Sequence, residues 1–320
     1  MNIQFEKAKK ENVLKKEGWF IWGASVCKYR GKYYKFASAW EEKYSFQGWV
    51  EHSTIILAVS DSPEGPFEIK RELTELKQQN WCEEVLHNPT IMLVNDKYYL
   101  FYVGTHYELN STKKLLENRE VYRYNQQIGV AVSDNLEGLF TPYKKNPILS
   151  PSKSGWDSTY VTNPSICYFK GNYYMVYKAL IEERLPDIVL NLGVAKSKDI
   201  LGPYEKMQTH PLMENNIEDP FVWCDKEYFY MVVKDMTGET IGAVDEALIL
   251  KSKDILKWDF AKCRKAYDLN ICWENVKKKY KNVERPQIYF EKGIPICLYN
   301  AVRTYDNKTF NISRKIIMKE

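Results

Sequence analysis

The chain has 320 residues, of which 44% are apolar and 28% charged, a composition that excludes an intrinsically disordered protein. Its 46 basic and 42 acidic residues give a net charge of +4, which argues against nucleic acid as the main partner. The longest apolar runs, such as residues 55–59, are far shorter than the ~20 residues of a membrane-spanning helix, so we expect no membrane partner.

The N-terminal segment gives an expectation about location. It is charged and lacks the apolar core of a secretory signal, which predicts a cytoplasmic protein. The seven cysteines are odd in number and none lie in a CxxC pair, so we expect free thiols and no zinc ribbon or redox pair. Aromatic residues make up 14% of the chain, and this favours a β-rich protein.

Along the chain, one pattern occurs five times: a short motif, an apolar run, a tight turn and a Tyr-rich run. Each copy is typical of a β-hairpin. The copies begin at Gly23, Asn88, Asn163, Asp219 and Arg285. A second hairpin follows the first four copies, and only a degenerate equivalent near Ile312 follows the fifth.

Each repeat therefore supplies four strands, which we call A to D. Four-stranded units repeated about a centre predict an all-β protein, a five-bladed β-propeller with four-stranded antiparallel blades. Five blades account for nearly all of residues 1–320, so we expect a single domain. A sandwich of similar strands is the alternative, but five in-phase repeats favour the propeller.

The lengths of the connections indicate which face of the propeller is functional. The A–B and C–D turns are short, whereas the B–C loops are long and span residues 39–54, 105–127, 179–191 and 236–246. Because successive strands alternate in direction, these loops share one face, which we call the top face, with the starts of the A strands. Tolerated surface insertions are the alternative, but they do not explain why every long loop falls on one face.

The starts of the A strands supply the main candidate site. The two residues at each entrance are Trp22-Gly23, His87-Asn88, Thr162-Asn163, Glu218-Asp219 and Glu284-Arg285. In the last four a proline follows, and we expect it to be the first residue of the strand, with the preceding residue extended and aimed into the channel mouth. Carboxylates, amides, a histidine and an arginine that converge in a funnel indicate a pocket that binds or cleaves sugars.

A second ring of candidates lies at the ends of the B strands. Lys178 and Lys234, with Asp235 beside the latter, can neutralise the carboxylates or hold an anionic group, although a solvated lysine is an equally good reading. The remaining substrate-binding candidates lie in connections or just inside the A strands: Ser25, Glu51, His52, Asp157 and Gln287. Trp81 and Trp156 precede blades, and for each tryptophan alone core packing is the simpler role.

The strand-start motifs HNPTI, TNPSI, EDPFVW and ERPQIYF, with SDSPEGPF between strands, resemble those of the five-bladed propeller glycoside hydrolases. This group includes families 32, 43, 68, 117 and 130. The resemblance covers about residues 19–312 and is greatest to families 43 and 117, which implies an exo-acting glycosidase. Some family 43-like enzymes hold a structural Ca²⁺ in the channel, but nothing in this sequence indicates one, and we predict no metal and no cofactor.

The resemblance also implies catalytic residues: an acid, a base, and an Asp that tunes them. Asp219 and Glu284 occupy acidic positions of the motifs, and Glu218 is the third candidate. Blade one departs from the pattern, since Trp22-Gly23 stands where an Asp base is usual, and the histidine expected before the last motif is not evident. Candidates to substitute for the missing groups are Glu51, His52, His87 and Asp157.

The residues themselves leave three functions open. Asp219 and Glu284, from neighbouring blades, form the better pair across the funnel, and crowding would keep one protonated as an acid. Alternatively, they pair with Lys234 and Arg285 merely to close the propeller. The first function is an exo-acting glycosidase that cleaves a terminal sugar from an oligosaccharide or glycoconjugate. A glycoside phosphorylase that receives phosphate on Lys178, Lys234 or Arg285, and a catalytically silent carbohydrate-binding propeller, are the alternatives.

Overall fold

A computed structural model describes residues 3–106, 126–180, 190–213, 216–240, 242–260 and 263–318. The strands before and within blade one are β1 (Ile3–Phe5), β2 (Val13–Leu14), β3 (Trp19–Tyr29), β4 (Lys32–Glu41), β5 (Thr54–Ser60) and β6 (Glu68–Glu72). Blade two contains β7 (Val85–Val94), β8 (Lys97–Thr105), β9 (Gln127–Ser133) and β10 (Thr141–Pro142). Blade three contains β11 (Tyr160–Phe169), β12 (Asn172–Leu180), β13 (Asn191–Ser197) and β14 (Glu205–Lys206).

The second half of the chain continues the pattern. Blade four contains β15 (Ile217–Cys224), β16 (Phe229–Asp235), β17 (Glu246–Ser252) and β18 (Arg264–Tyr267). A small hairpin, β19 (Asn270–Cys272) and β20 (Lys277–Lys279), precedes β21 (Asn282–Glu291), β22 (Ile294–Arg303) and β23 (Thr309–Met318) of blade five. The described helices are α1 (Trp49–His52) and 3₁₀ turns at Lys10–Asn12, Glu42–Tyr44, Phe46–Gly48, Thr74–Gln78 and Asn80–Cys82. No helix in the described ranges is long and apolar enough to cross a membrane.

These strands confirm the five-bladed propeller. Within the described residues, five antiparallel sheets follow one another along the chain, and β21 of the last blade packs beside β3 of the first, so the ring closes. An apolar cluster fills the space between each blade and the next. Because every sheet is radial, both of its faces are buried against neighbours, and this is why the A and B strands carry long apolar runs.

The ring is closed by the N-terminus. Strand β1 pairs antiparallel with β23, with Ile3 opposite Met318 and Phe5 opposite Ile316, and so gives blade five its outer strand. The guanidinium of Arg314 lies 4.2 Å from the centroid of the Phe5 ring and fastens the strand further. The sequence showed only a degenerate second hairpin in blade five, because its fourth strand comes from a three-residue segment at the other end of the chain.

The A–B turns lie on the bottom face, as the loop lengths predict. In blade two, Asn95 and Asp96 have φ of 48° and 60°, the left-handed values that a two-residue hairpin turn of this twist requires. In blade five the turn is at Lys292 and Gly293, with φ of 51° and 80°. In blade four the connection spans residues 225–228 and is longer than the two-residue connections of the other four blades.

The strand entrances differ from the sequence prediction. The residue before each proline is not extended but left-handed, with φ of 49° at Asn88, 54° at Asn163, 57° at Asp219 and 52° at Arg285. The prolines are not first residues either, because each A strand begins earlier and contains a β-bulge at the entrance motif. The extra residue of the bulge accommodates the left-handed backbone, which Asn and Asp tolerate well, and spares the proline from the ladder.

Candidate active site

A cavity of about 440 Å³ opens at the top end of the central channel. Every blade contributes to it through the entrance of its A strand. The lining includes Trp22, His87, Asn88, Thr162, Asn163, Glu218, Asp219, Glu284 and Arg285, all of them candidates from the sequence. These entrance residues therefore meet at the top end of the channel, as the alternating strand directions predict.

The floor of the cavity is a chain of hydrogen bonds that links four blades. Asn88 Nδ2 donates to Asn163 Oδ1 at 2.5 Å, and Asn163 Nδ2 donates to Asp219 Oδ1 at 2.7 Å. Arg285 donates its backbone N–H to Asp219 Oδ2 at 2.9 Å and Nη1 to Oδ1 at 3.3 Å. Asp219 is only 3% exposed, so this carboxylate is fully engaged in holding the floor.

Arg285 occupies space on the blade-one side of the ring. A Cβ atom on Gly23 would lie 3.0 Å from Cβ, Cγ and Nε of Arg285. The glycine therefore lets the arginine side chain lie against blade one and reach Asp219. This contact gives a physical reason why the position that usually carries an Asp in the resembling families has no side chain here.

Beside the floor, the carboxylates of Glu218 and Glu284 share two lysines, Lys178 and Lys234. Lys178 Nζ lies 3.0 Å from Glu218 Oε2, and Lys234 Nζ lies 3.6 Å from Glu218 Oε1 and 2.5 Å from Glu284 Oε1. Lys234 Nζ also pairs with Asp245 at 2.7 Å. Lys234 is only 1% exposed and lies beneath the carboxylates rather than in the cavity lining.

The two carboxylates differ in acidity. Burial would raise the pKa of Glu218, but the charges of Lys178 and Lys234 outweigh it and hold that pKa at about 2. For Glu284, burial and the nearby charges of Glu218 and Asp219 outweigh Lys234 and raise the pKa above its usual value. The site therefore contains a carboxylate that stays ionised next to one that holds its proton to higher pH.

An aromatic wall from blade one covers one side of the cavity. It consists of Trp22, Phe46 and Trp49, and the Trp22 and Phe46 rings meet edge to face at 5.1 Å. His87 stacks on Trp49 with ring centroids 4.8 Å apart. Such a wall offers an apolar surface on which the face of a sugar ring can lie.

Three buried polar atoms of the lining have no hydrogen-bond partner among the described residues. They are Asn88 Oδ1, Gln126 Nε2 and Arg285 Nε, and each belongs to a side chain that is at least 95% buried. Buried polar groups in proteins are normally hydrogen-bonded, and leaving one unpaired costs about 1–3 kcal/mol. These donors and acceptors are therefore suited to the hydroxyl groups of a bound ligand.

Several sequence candidates lie outside the lining. Asp157 is buried, accepts a hydrogen bond from Tyr177 Oη at 2.9 Å and pairs with Lys206 at 2.7 Å. Asp235 accepts backbone N–H groups of the following loop, including that of Gly238 at 2.9 Å. These two carboxylates fix loops around the site, and their contacts assign them no direct part in it.

The other candidates outside the lining lie in α1, deeper in the channel and against the blades. Glu51 and His52 belong to α1, where the His52 ring stacks on Tyr44 at 3.6 Å. Ser25 and Gln287 lie deeper in the channel, below the floor. Trp81 and Trp156 stack on tyrosines of blades two and three, in agreement with the packing role. The central parts of the predicted loops 105–127 and 179–191 lie outside the described residues.

Some lining residues were not predicted: Phe46, Gln47, Trp49, Gln126, Tyr160, Leu190, Asn216 and Met236. Phe46, Gln47 and Trp49 lie in the first B–C loop, and Gln126 in the second. The sequence could have indicated these residues, because the long loops of the top face surround the funnel and their aromatic side chains can contact a ligand. Tyr160 lies two residues before the Thr162 entrance in a regularly paired part of β11, so its side chain is on the same face of the strand as that of Thr162.

Some family 43-like enzymes hold a metal ion in the channel. In this protein the residues that could bind such an ion are the three carboxylates of the cavity. Oxygens of Glu218, Asp219 and Glu284 lie within 4.8 Å of one another, a spacing that a cation could bridge. However, Lys178, Lys234 and Arg285 already neutralise them. A divalent cation would have to displace buried ammonium or guanidinium groups, so these residues do not fit a metal.

Comparisons with known proteins agree with the fold. No protein-family model matches the chain, and no curated protein matches it in sequence. Among solved structures, Zg3597, a family 117 glycoside hydrolase of Zobellia galactanivorans, is similar with a TM-score of 0.67 and 15% identity over 98% of this chain and 90% of that one. Arabinanase Arb43A of Bacillus subtilis is similar with a TM-score of 0.56 and 12% identity over 92% and 94% of the two chains.

A third similar structure is that of CoXyl43, a family 43 β-xylosidase/α-arabinofuranosidase from a compost microbial metagenome, in complex with xylotriose. It has a TM-score of 0.59 and 12% identity over 99% of this chain and 96% of that one. At these identities the similarity establishes a shared five-bladed propeller fold, which the sequence motifs had indicated.

Proposed function

We propose that the protein is a glycosidase that removes a terminal sugar from an oligosaccharide or glycoconjugate in the cytoplasm. The observation that carries the proposal is the pair of neighbouring carboxyl groups with divergent acidity, Glu218 and Glu284, in a cavity with an aromatic wall. The shared fold of propeller glycoside hydrolases supports it. The hydrogen-bonded floor favours exo-action, because a substrate end fits a cavity that stops at a floor.

In this proposal Glu284 is the general acid. Its raised pKa favours the protonated form, and this proton is the one that the proposed acid delivers to the oxygen of the leaving group. Glu218 remains ionised between Lys178 and Lys234 and can stabilise positive charge that develops on the sugar ring. Asp219 and Arg285 hold the floor and orient the ring through the entrance amides.

A carbohydrate-binding protein without activity is the second candidate. It is favoured by one observation, that Gly23 and the Arg285 side chain stand where the resembling enzymes carry a blade-one Asp. A phosphorylase is less well supported, because Lys178, Lys234 and Arg285 all have carboxylate partners in the described part of the chain.

The proposal is tested with a panel of aryl glycosides and oligosaccharides, assayed with and without inorganic phosphate. Glu284→Gln should lower turnover by ~10²-fold or more, which is the scale of a general acid. The glutamine keeps the shape and the neutral form of the protonated carboxyl group, and Lys234 retains Asp245 and Glu218 as partners, so we expect the fold to survive.

The outcomes separate the candidates. Turnover by the wild type that Glu284→Gln abolishes supports the glycosidase. Turnover that requires phosphate points to the phosphorylase. Sugar binding measured by calorimetry without turnover on any panel member favours the binding protein, and an active Glu284→Gln would show that the acid is another residue.

A further inference from the structure

The three carboxylates of the cavity all lie on one side of it. Glu218, Asp219 and Glu284 come from blades four and five, and one carboxylate oxygen of each lies within 4.8 Å of those of the other two. An inverting glycosidase needs its acid and base about 6.5–9.5 Å apart, so that a water molecule fits between base and sugar. If the proposed glycosidase inverts, its base must therefore lie on the facing wall.

The geometry of a five-membered ring identifies that wall. Blade two lies opposite the gap between blades four and five, and its entrance residue is His87, which lines the cavity. Blade one offers Trp22 and Gly23 at the same level, and blade three offers Thr162 and Asn163. Among the described lining residues of these three blades, His87 alone carries a group that accepts a proton at neutral pH.

The surroundings of His87 hold its ring in one orientation. Nδ1 lies 2.7 Å from Ser53 Oγ, one ring face stacks on Trp49, and Trp40 meets the ring at 5.9 Å. No described residue forms a hydrogen bond with Nε2. The side chain is 3% exposed, so the ring is fixed by protein on most sides while it still contributes to the cavity.

Burial and nearby positive charges keep the His87 ring neutral. Burial is the main cause, and the positive charges of Arg285 and Lys178 add to it, so that the pKa lies well below the usual 6.5. Ser53, Trp40 and Trp49, which touch the ring, do not titrate in this range. A neutral imidazole with an available nitrogen is the form that a general base requires.

We propose that His87 is the general base of an inverting hydrolysis, an inference that rests on the proposed glycosidase function. Water attacks the anomeric carbon, and its proton passes to Nε2 of His87. The glycosidic C–O bond breaks as Glu284 gives its proton to the leaving oxygen. The products are the free sugar with inverted configuration and the released alcohol, and the proton on His87 returns to Glu284 through solvent.

The test uses two variants of the full chain on a substrate that the wild type cleaves. His87→Asn keeps a polar atom near the position of Nδ1 for Ser53 but lacks Nε2, and His87→Gln reaches further but has no basic nitrogen. We expect both to lower kcat by ~10²-fold or more with little change in KM, and to lose the acidic limb of the pH–rate profile. Leu93→Gln, six residues further along the same strand, is the matched control and should keep full activity.

Two readouts distinguish a base from a residue that only supports the structure. Azide needs no deprotonation, so it should restore cleavage in His87→Asn and yield a glycosyl azide, without accelerating the wild type. The first sugar product of the wild type, followed by NMR, should have the inverted anomeric configuration. Circular dichroism and thermal melts check that at least one of the two variants folds.

The possible failures are distinguishable. An active wild type with fully active His87 variants, or a product of retained configuration, overturns this inference and leaves the glycosidase standing. Slow variants that azide does not rescue assign His87 a positioning role and overturn it as the base. A wild type without turnover on any substrate overturns the proposed function, and this inference with it.

Discussion

The two mouths of the central channel are built from the same five A strands but differ in chemistry. The top mouth contains Glu218, Asp219, Glu284 and the cations that pair with them. The bottom mouth is a cavity of about 410 Å³ lined mainly by apolar side chains from the A strands of all five blades. Between them, neutral side chains such as Ser25, Thr90 and Ser165 hydrogen-bond backbone groups of neighbouring strands.

This difference supports the top end of the channel as the site of the proposed activity. Apolar side chains at the bottom are what a propeller needs to pack its inner strands. Buried charges at the top cost desolvation free energy, and replacing them with apolar residues would often stabilise a protein. Sites that depart from the rules of packing are where function is expected, and the bulged, charged entrances depart most.

The largest effect that tests this comparison concerns Asp219. Asp219→Asn should lower the free energy of unfolding by about 3 kcal/mol, because it leaves the buried Arg285 guanidinium without its counter-charge. Urea denaturation measures the effect. Asp96→Asn is the control on the bottom face, since Asp96 is exposed and has a similar backbone φ of 60° against 57° for Asp219.

The control should change stability by less than about 0.5 kcal/mol. If both substitutions cost the same, the top ion pair contributes nothing beyond the effect of an Asn in a left-handed position. That outcome would remove the energetic distinction between the two ends of the channel.

A smaller effect concerns a buried lysine without a counter-charge. Lys35 on β4 is fully buried, and its ammonium group contacts Asn311 Oδ1 at 3.0 Å and Ser313 Oγ at 2.9 Å, but it pairs with no described carboxylate. Burial lowers its pKa from 10.5 to about 7. Lys234, by contrast, is surrounded by carboxylates, which raise its pKa.

The sign of the pH effect follows from these values. Between pH 7 and the unfolded pKa near 10.5, the unfolded chain binds a proton at Lys35 that the folded chain does not. The wild type should therefore gain stability with rising pH, by roughly 1 kcal/mol per pH unit, relative to Lys35→Met. Chemical denaturation of both proteins at pH 7, 8 and 9 checks this, and parallel curves would show that Lys35 keeps its proton on folding.

Much of this architecture could be predicted from the sequence. The fivefold motif predicts the blades, and strand direction predicts that Asn88, Asn163 and Asp219 meet at the top. The left-handed bulges could not be predicted, because the rule for residues before proline favours extended backbone and tertiary pairing overrides it. The partnership of Gly23 with Arg285 and the fourth strand of blade five join distant parts of the chain, and no local pattern records such contacts.

The smallest effect is expected at the bottom mouth. Leu93 lines its cavity and is 48% exposed, on the strand that carries His87 and Asn88 to the top. Leu93→Gln removes little buried apolar area, so we expect a change in unfolding free energy within about 0.5 kcal/mol. Turnover should be unchanged, because a side chain near the A–B turn lies at the opposite end of β7 from the proposed site.

Unchanged stability and turnover in Leu93→Gln would be informative, because Leu93 lies on the same strand as His87, the proposed base. Loss of activity in a folded Leu93→Gln protein, measured on the same substrate as His87→Asn, would mean that the bottom mouth influences the reaction. The apolar end would then belong to the functional site, and the division of the channel into a reactive top and a packing bottom would fail. Unchanged turnover beside an inactive His87→Asn would localise the chemistry to one end of a single ten-residue strand.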